Sequence, residues 1–300
     1  MLAYRAGSRV AQAVPGSITT PAGRVVGEAA GRLMPGRRRM AARHQHRVAA
    51  DAGPAEVRGV FESYGRYWVE MLRLPGDVRA GRIASQGTID GYENILKGLA
   101  QGNGVILALP HLGGWEWAGA EMARRGHDLL AVVERIEPPE LLEWFAAQRA
   151  AIGIEVVALG PDVSSTVLRA LRDNRVVALL CDRDIEGGGV EVEFFGERTT
   201  LPGGPATLAL RTGATVVPTA VYFCPGRDHL GVVRPALEVE RRGRLRDDIA
   251  RITQAIAHEL ESLIRVAPEQ WHLLQPNWPS DRADPPQIAE RSGGVTACGS

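Results

Sequence analysis

"GVILALPHLGGWEWAG", residues 104–119, decides how the rest of the chain is read. Its first seven residues make an uninterrupted apolar run of strand length, closed by Pro110. His111 follows, then Gly113 and Gly114, which permit a tight turn, then a helical pattern over 115–124. A strand with no polar alternation belongs in a sheet covered on both faces, as parallel sheets are. The unit recurs downstream. "DLLAVVE" (128–134) precedes a helix over 138–152, "IEVVAL" (154–159) a helix over 163–173, and "RVVALLC" (175–181) comes next. Strands alternating with helices of this length predict an α/β fold, a mainly parallel central sheet flanked by helices. Beyond a glycine-rich loop (185–204), the pattern predicts a helix over 205–212, strands over 214–223 and 229–239, and a helix over 245–265.

Upstream, residues 1–50 read as two short helices broken by "VPGSITTP" (14–21), the second ending near Pro35-Gly36. A further helix begins after Pro54, with Val57, Val60, Phe61, Tyr64, Trp68, Met71 and Leu72 at spacings of three and four. Pro75-Gly76 is expected to stop it. Three parts follow: a basic amphipathic segment over 1–53, a main domain over 54–279, and a polar, disordered tail over 280–300.

The 300 residues suffice for a full core, and 45% hydrophobic with 23% charged residues is ordinary for a folded soluble protein. No stretch approaches the roughly 18 apolar residues of a spanning helix. Arg5 and Arg9 interrupt the only apolar stretch near the start, so a secretory signal is not expected and the chain reads as cytoplasmic. Cys181, Cys224 and Cys298 share no metal-ligand spacing, HExxH is absent, and no metal site is expected. Net charge is zero, yet residues 1–50 hold nine arginines against Glu28 alone. Apolar Val25, Val26, Leu33 and Met34 interleave with them, and nothing resembles a nucleic-acid module. The pattern favours an anionic membrane surface over a merely solvated basic face.

In parallel α/β sheets, ligands bind beyond the carboxyl ends of the strands. His111 lies at one such end, Glu134 and Arg135 at the next, and Asp182, Arg183 and Asp184 at a third. That convergence is the strongest functional signal. Glu116 stands five places after His111. On a continuous helix the two would point about 140° apart, so they meet only if His111 sits in the turn and Glu116 in the first helical turn. A carboxylate on one imidazole nitrogen fixes the tautomer and leaves the other to take a proton from a hydroxyl. N–H groups at the helix start suit an oxyanion or a phosphate. No serine or cysteine lies in the motif, which points to a general base acting in a ternary complex. Cys181, ending an apolar strand, reads as packing, and Glu191 and Glu193 read as a solvated strand face. His44, His46, His127, His229 and His258 lack such an acidic setting and receive no role.

"LPHLGGWEWAG" resembles the His-x4-Asp/Glu signature of the lipid A lauroyl/myristoyl acyltransferase family, part of the wider glycerolipid acyltransferase group. "RxxxG" at 149–153, the run over 191–218 and "WHLLQPNW" (271–278) also match it. "SYGRYWVEMLRLP" (63–75), "VVERIEPPELLEWF" (132–145) and "LLCDRDIEGGGVEVEFFGE" (179–197) are most similar to its phosphatidylinositol mannoside acyltransferase branch. The resemblance spans about 54–279. It implies transfer of a palmitoyl-type chain from acyl-CoA, a co-substrate, to a mannose 6-hydroxyl of phosphatidylinositol mannoside. No bound cofactor is implied. His111 would be the base, Glu116 its acidic partner, and Asp182 a further supporting acid. The branch carries a glutamate where this chain has Asp182, one methylene shorter, so its reach to His111 is open. Glu134, Arg135, Arg149 and Arg183 would bind substrate, and Trp115, Trp117 and Phe145 would line an acyl tunnel. Lipidic substrates imply a peripheral protein at the cytoplasmic face of the plasma membrane. The alternatives are an acyltransferase for lysophosphatidate or another glycolipid, and a non-catalytic lipid-binding protein.

Overall fold

The computed structural model describes residues 2–185 and 187–282. Three helices open the chain, α1 (Leu2–Ala13), α2 (Gly16–Leu33) and α3 (Pro35–Val48), followed by the long α4 (Pro54–Arg79). β1 (Gly87–Asp90) and α5 (Tyr92–Leu99) lead into β2 (Val105–Leu109), then α6 (Trp115–Arg124), β3 (Leu129–Val133), α7 (Pro139–Ala150), β4 (Ile154–Ala158), α8 (Val163–Arg172) and β5 (Val176–Leu180). The hairpin of β6 (Val190–Phe194) and β7 (Glu197–Leu201), then α9 (Gly204–Thr212), β8 (Thr215–Phe223), β9 (His229–Val233), α10 (Leu245–Ile264) and the single turn α11 (Pro279–Arg282) complete it.

Seven strands form one sheet in the order β1-β9-β8-β2-β5-β3-β4, while β6 and β7 pair apart from it. All neighbours in the sheet are parallel except β8 and β9. The fold is thus α/β with a mainly parallel sheet, as the 104–119 stretch predicts. Every residue of β2 is buried. Its side chains alternate between two cores: Ile106 and Ala108 join Ile252, Ile256 and Leu260 of α10 on one face, while Val105, Leu107 and Leu109 join Trp117 and Met122 of α6 on the other. A period of two run through a wholly apolar strand is what a two-sided sheet requires.

The break expected within 14–21 falls at Val14–Pro15, between α1 and α2, and α2 ends at Leu33, beside Pro35; the region departs from the sequence reading in a third helix, α3, which holds the arginine cluster. Glycines inside α2, to which the sequence reading gave no role, form a contact surface. Gly23, Gly27 and Gly31 are buried along α2 against α4. A Cβ on Gly27 would lie 2.1 Å from the Phe61 carbonyl oxygen, and one on Gly65 2.1 Å from that of Gly23. Gly65→Ala should therefore destabilise by roughly 1–3 kcal/mol through overpacking, read as a lowered thermal midpoint, whereas Gly36→Ala, which meets nothing, should not.

α4 does not stop at Pro75 either; it runs on to Arg79. Tertiary pairing outweighs the missing N–H. Buried Asp77 accepts from Arg82 at 2.6 Å and Arg227 at 2.6 Å, and Arg73 lies 3.3 Å away. Arg73 also donates to the carbonyls of Ala11 and Val14, tying α1 onto α4. Residues 280–282, read as part of a disordered tail, belong to α11. The remainder of that tail, 283–300, lies outside the described residues. Asp281 accepts from the backbone N–H groups of Asn277 and Trp278 and bonds His44 Nε2 at 3.2 Å. Burial pushes its carboxyl up, but those bonds hold it well below the usual range. His44, given no role from sequence, is a buried fastener of this segment.

Candidate active site

The sheet register builds the site. Leu109 of β2 faces Leu180 of β5, and the Cys181 N–H extends the ladder to the Leu109 carbonyl at 2.8 Å. Two residues beyond each strand end stand His111 and Asp182. Parallel strands in this register bring them side by side without any contribution from the helix between. His111 Nδ1 lies 2.7 Å from Asp182 Oδ1, and Asp182 Oδ2 accepts from the His111 backbone N–H at 3.0 Å and from Trp271 Nε1 at 2.7 Å. Asn277 Nδ2 donates to the Asp182 carbonyl at 3.0 Å. The shorter aspartate reaches the imidazole directly.

Electrostatics follow from these contacts. Asp182 is wholly buried, which alone would raise its carboxyl. The bonds from His111 and Trp271 outweigh that and lower it. His111 is pushed down by burial and further by Arg183, yet Asp182 raises it above its ordinary value of 6.5, with Glu134 adding to the rise. With Nδ1 committed to Asp182, Nε2 has no protein partner among the described residues, and the side chain is 29% exposed to a cavity.

Gly113 makes the turn that presents His111. Its φ is +59°, and a Cβ there would sit 1.8 Å from the Val221 carbonyl oxygen. The Gly113 N–H donates to Gln270 at 3.0 Å, and the His272 N–H to the His111 carbonyl at 2.7 Å, so segment 270–272 clamps the turn. The parallel bridge between Gly113 and Val221 turns the Gly114 N–H to the sheet, whereas the Trp115 N–H, at the start of α6, takes no backbone acceptor among the described residues.

Glu116 is not the partner of His111. It is buried on the first turn of α6, where Oε1 accepts from Tyr67 at 2.8 Å and from Arg149 Nη2 at 3.0 Å. Burial raises its carboxyl, against the pull of Arg149 and Tyr67. Helical geometry carries its side chain away from the turn toward α4 and α7, where those two residues meet it. Arg149, expected to bind a phosphate, is committed to Glu116 and stacks at 5.2 Å over Trp115.

A cavity of about 550 Å³ opens beside His111. Its walls are largely apolar, with Val132, Phe145, Val163, Val167, Leu179 and Leu208 among them, and Trp115 at the rim of the turn. Glu134 and Arg183 also line it, with Arg183 Nη1 3.4 Å from Glu134 Oε2. Trp117 does not. Two residues along a helix is about 200°, so it points opposite to Trp115, is 2% exposed and stacks 5.0 Å from His229. Arg135 also falls outside; its guanidinium lies against Gly160, beyond β4. On β6, Glu191 and Glu193 are solvent-facing, as their alternation predicts.

Two residues to which the sequence reading gave no role join the site. Tyr67 holds Glu116 and borders the cavity; His272 borders it too, with Nε2 2.9 Å from Ser63 Oγ. Burial pushes His272 down to about 3, with His111 adding to the fall, so it stays a neutral imidazole. Ser63 and Tyr67 sit four apart on one face of α4, a spacing visible in "SYGRY".

The chain matches the model of the bacterial lipid A biosynthesis acyltransferase family over residues 1–280. It is similar to the phosphatidylinositol mannoside acyltransferase of Mycobacterium tuberculosis (strain H37Rv), 41% identical over 236 residues, covering 77% of this chain and 72% of that protein. The protein of the same name from Mycolicibacterium smegmatis is 37% identical over 251 residues, covering 82% and 80%.

Proposed function

Because the chain belongs to the bacterial lipid A biosynthesis acyltransferase family and is an acyltransferase, we propose that it moves a palmitoyl-type chain from acyl-CoA to a mannose 6-hydroxyl of phosphatidylinositol mannoside. The observation that carries the mechanism is the His111–Asp182 hydrogen bond of 2.7 Å at the mouth of an apolar cavity. His111 Nε2 takes the hydroxyl proton as the sugar oxygen attacks the thioester carbonyl. A tetrahedral oxyanion forms near the open N–H of Trp115 at the start of α6. The C–S bond then breaks, and the imidazolium returns its proton to the departing thiolate. Asp182 stabilises that imidazolium. Arg183 at the rim suits the acceptor's phosphate, and the apolar walls between α8 and α9 suit the acyl chain.

The protein supplies no nucleophile in this scheme. Cys181 is 1% exposed, and burial pushes its thiol far up. Ser63, although paired with His272, does not border the cavity. Ser63→Ala should accordingly retain most of the transfer rate, and mass spectrometry of protein quenched in turnover should show no acylated residue; an acyl group on Ser63 would replace the ternary mechanism by a two-step one.

Docking at the cytoplasmic face of the plasma membrane is part of the same reading. Val25, Val26 and Leu33 on α2 are 67%, 67% and 83% exposed beside Arg24 and Arg32, whereas Met34 packs inward near Phe61. No helix among the described residues is long and apolar enough to cross a membrane. The acceptor is tested by offering labelled palmitoyl-CoA with phosphatidylinositol dimannoside or with lysophosphatidate. Acylation of the mannoside is expected; turnover with lysophosphatidate alone would keep the chemistry and replace the acceptor.

A further inference from the structure

A second concavity, of about 430 Å³, lies outside the active site between α1, the end of α4, and α7. Arg5 and Arg9 enter it from α1, Arg79 from α4, and Trp144 and Gln148 from α7; no carboxylate lines it. Among the described residues no acid pairs with any of the three arginines, and Arg79 donates only to Gln12 Oε1, at 2.6 Å. By contrast, Arg73, Arg82 and Arg227, a few residues from this groove, share Asp77, while exposed Arg5, Arg9 and Arg79 have no acid of their own among the described residues. The groove is also firmly framed. Ser8 Oγ and Gln12 Nε2 donate to the Leu72 carbonyl, and Arg73 binds the end of α1 from below.

Three exposed arginines without acidic partners on one concave wall give it a positive potential, and their forked donors fit phosphate oxygens. Beside them, α1 exposes Leu2 (85%) and Val10 (60%), so what binds next to the phosphate is apolar. Trp144 adds an aromatic ring of the kind that settles at headgroup level. We propose that this groove is a binding site for the phosphate of an anionic lipid headgroup, with Arg5, Arg9 and Arg79 as its ligands. The site adjoins the acyl cavity through one layer of aromatics. Tyr4 of α1 packs 6.1 Å from Trp144 and 5.6 Å from Phe145, which lines that cavity. A lipid phosphate held here places the membrane surface against that wall.

The proposal deepens the membrane contact proposed above, and it is tested apart from turnover in His111→Ala protein. Co-sedimentation with phosphatidylcholine vesicles, with and without phosphatidylinositol, is compared for three forms. They are the parent, the triple variant Arg5→Gln/Arg9→Gln/Arg79→Gln, and a control losing equal charge on α3, Arg37→Gln/Arg38→Gln/Arg39→Gln. The groove variant should lose about 100-fold in affinity for the phosphatidylinositol vesicles, the control clearly less, since each arginine at the surface contributes about a fivefold factor. Gln148→Glu, which places a carboxylate among the arginines, should weaken binding as well. Equal losses in both triple variants would mean diffuse attraction and overturn the site. Binding of glycerophosphate to the groove without preference for the acidic vesicles would overturn the lipid source. A parent that ignores acidic vesicles altogether would instead remove the membrane reading itself.

Discussion

Asp182→Asn is expected to lower kcat/KM by about 10³–10⁴-fold while leaving the fold intact, because an amide cannot stabilise the imidazolium that forms on His111. Oδ1 now receives the His111 Nδ1–H, and Oδ2 the His111 backbone and Trp271 N–H groups; in the amide one of these oxygens becomes an NH2 facing donors, with no acceptor to meet. The pH profile separates this from a packing defect. His111 must be neutral to act as base, and Asp182 raises its pKa above 6.5, so the wild-type rate falls with acid on a limb lying above 6.5. Removing the carboxylate removes the main raising cause, and the limb of the residual activity should move down. A limb that stayed in place would show that another group titrates in the rate.

Glu116→Gln should carry a large penalty outside the His111–Asp182 pair, in stability as well as rate. It leaves the Arg149 guanidinium, only 15% exposed, without its carboxylate. Breaking a buried pair from one side costs roughly 3–5 kcal/mol, nearer the lower figure here because Arg149 keeps some solvent. The consequence reaches the chemistry through position: Arg149 stacks on Trp115, whose N–H lies at the start of α6, and a displacement of this kind can cost about 10²-fold. Glu116→Asp, which keeps the charge, should recover part of both losses. Thermal unfolding and steady-state transfer on the three proteins check this; a glutamine variant as stable as wild type would mean that the ion pair contributes nothing.

The fold was legible where one physical rule governs. The apolar runs of β2, β3 and β5 face protein on both sides, and α6 begins at Trp115 as its pattern requires. It was illegible where tertiary contacts override local preference. Gly23, Gly27 and Gly31 mark no contact in isolation and become a helix interface only beside Gly65, and Pro75 ends a helix unless Asp77 and three arginines hold the next turn.

The site divides in the same way. His111, Asp182, Glu134 and Arg183 follow from the rule that strand ends face the ligand, and the cavity places all but buried Asp182 along its lining. Which carboxylate holds His111 depends on strand order, since β5 rather than β3 lies next to β2, and no periodicity encodes that. Glu116 misled because closeness along the chain is a poor guide across a turn. Trp115 and Trp117 read as one aromatic pair, yet their faces are set by which side of α6 meets the sheet. Tyr67 lies 44 residues before His111 (111 − 67) and His272 161 after it (272 − 111), and neither the strand-end rule nor a local pattern joins them to the site.

The most direct test is the transfer of label from palmitoyl-CoA to phosphatidylinositol dimannoside by wild type and His111→Ala, with folding of both verified. Labelled acylated mannoside from wild type and a loss of at least about 10³-fold in the variant is the predicted result, general-base catalysis and orientation both being removed. Transfer by His111→Ala at the wild-type rate would contradict the account at its centre.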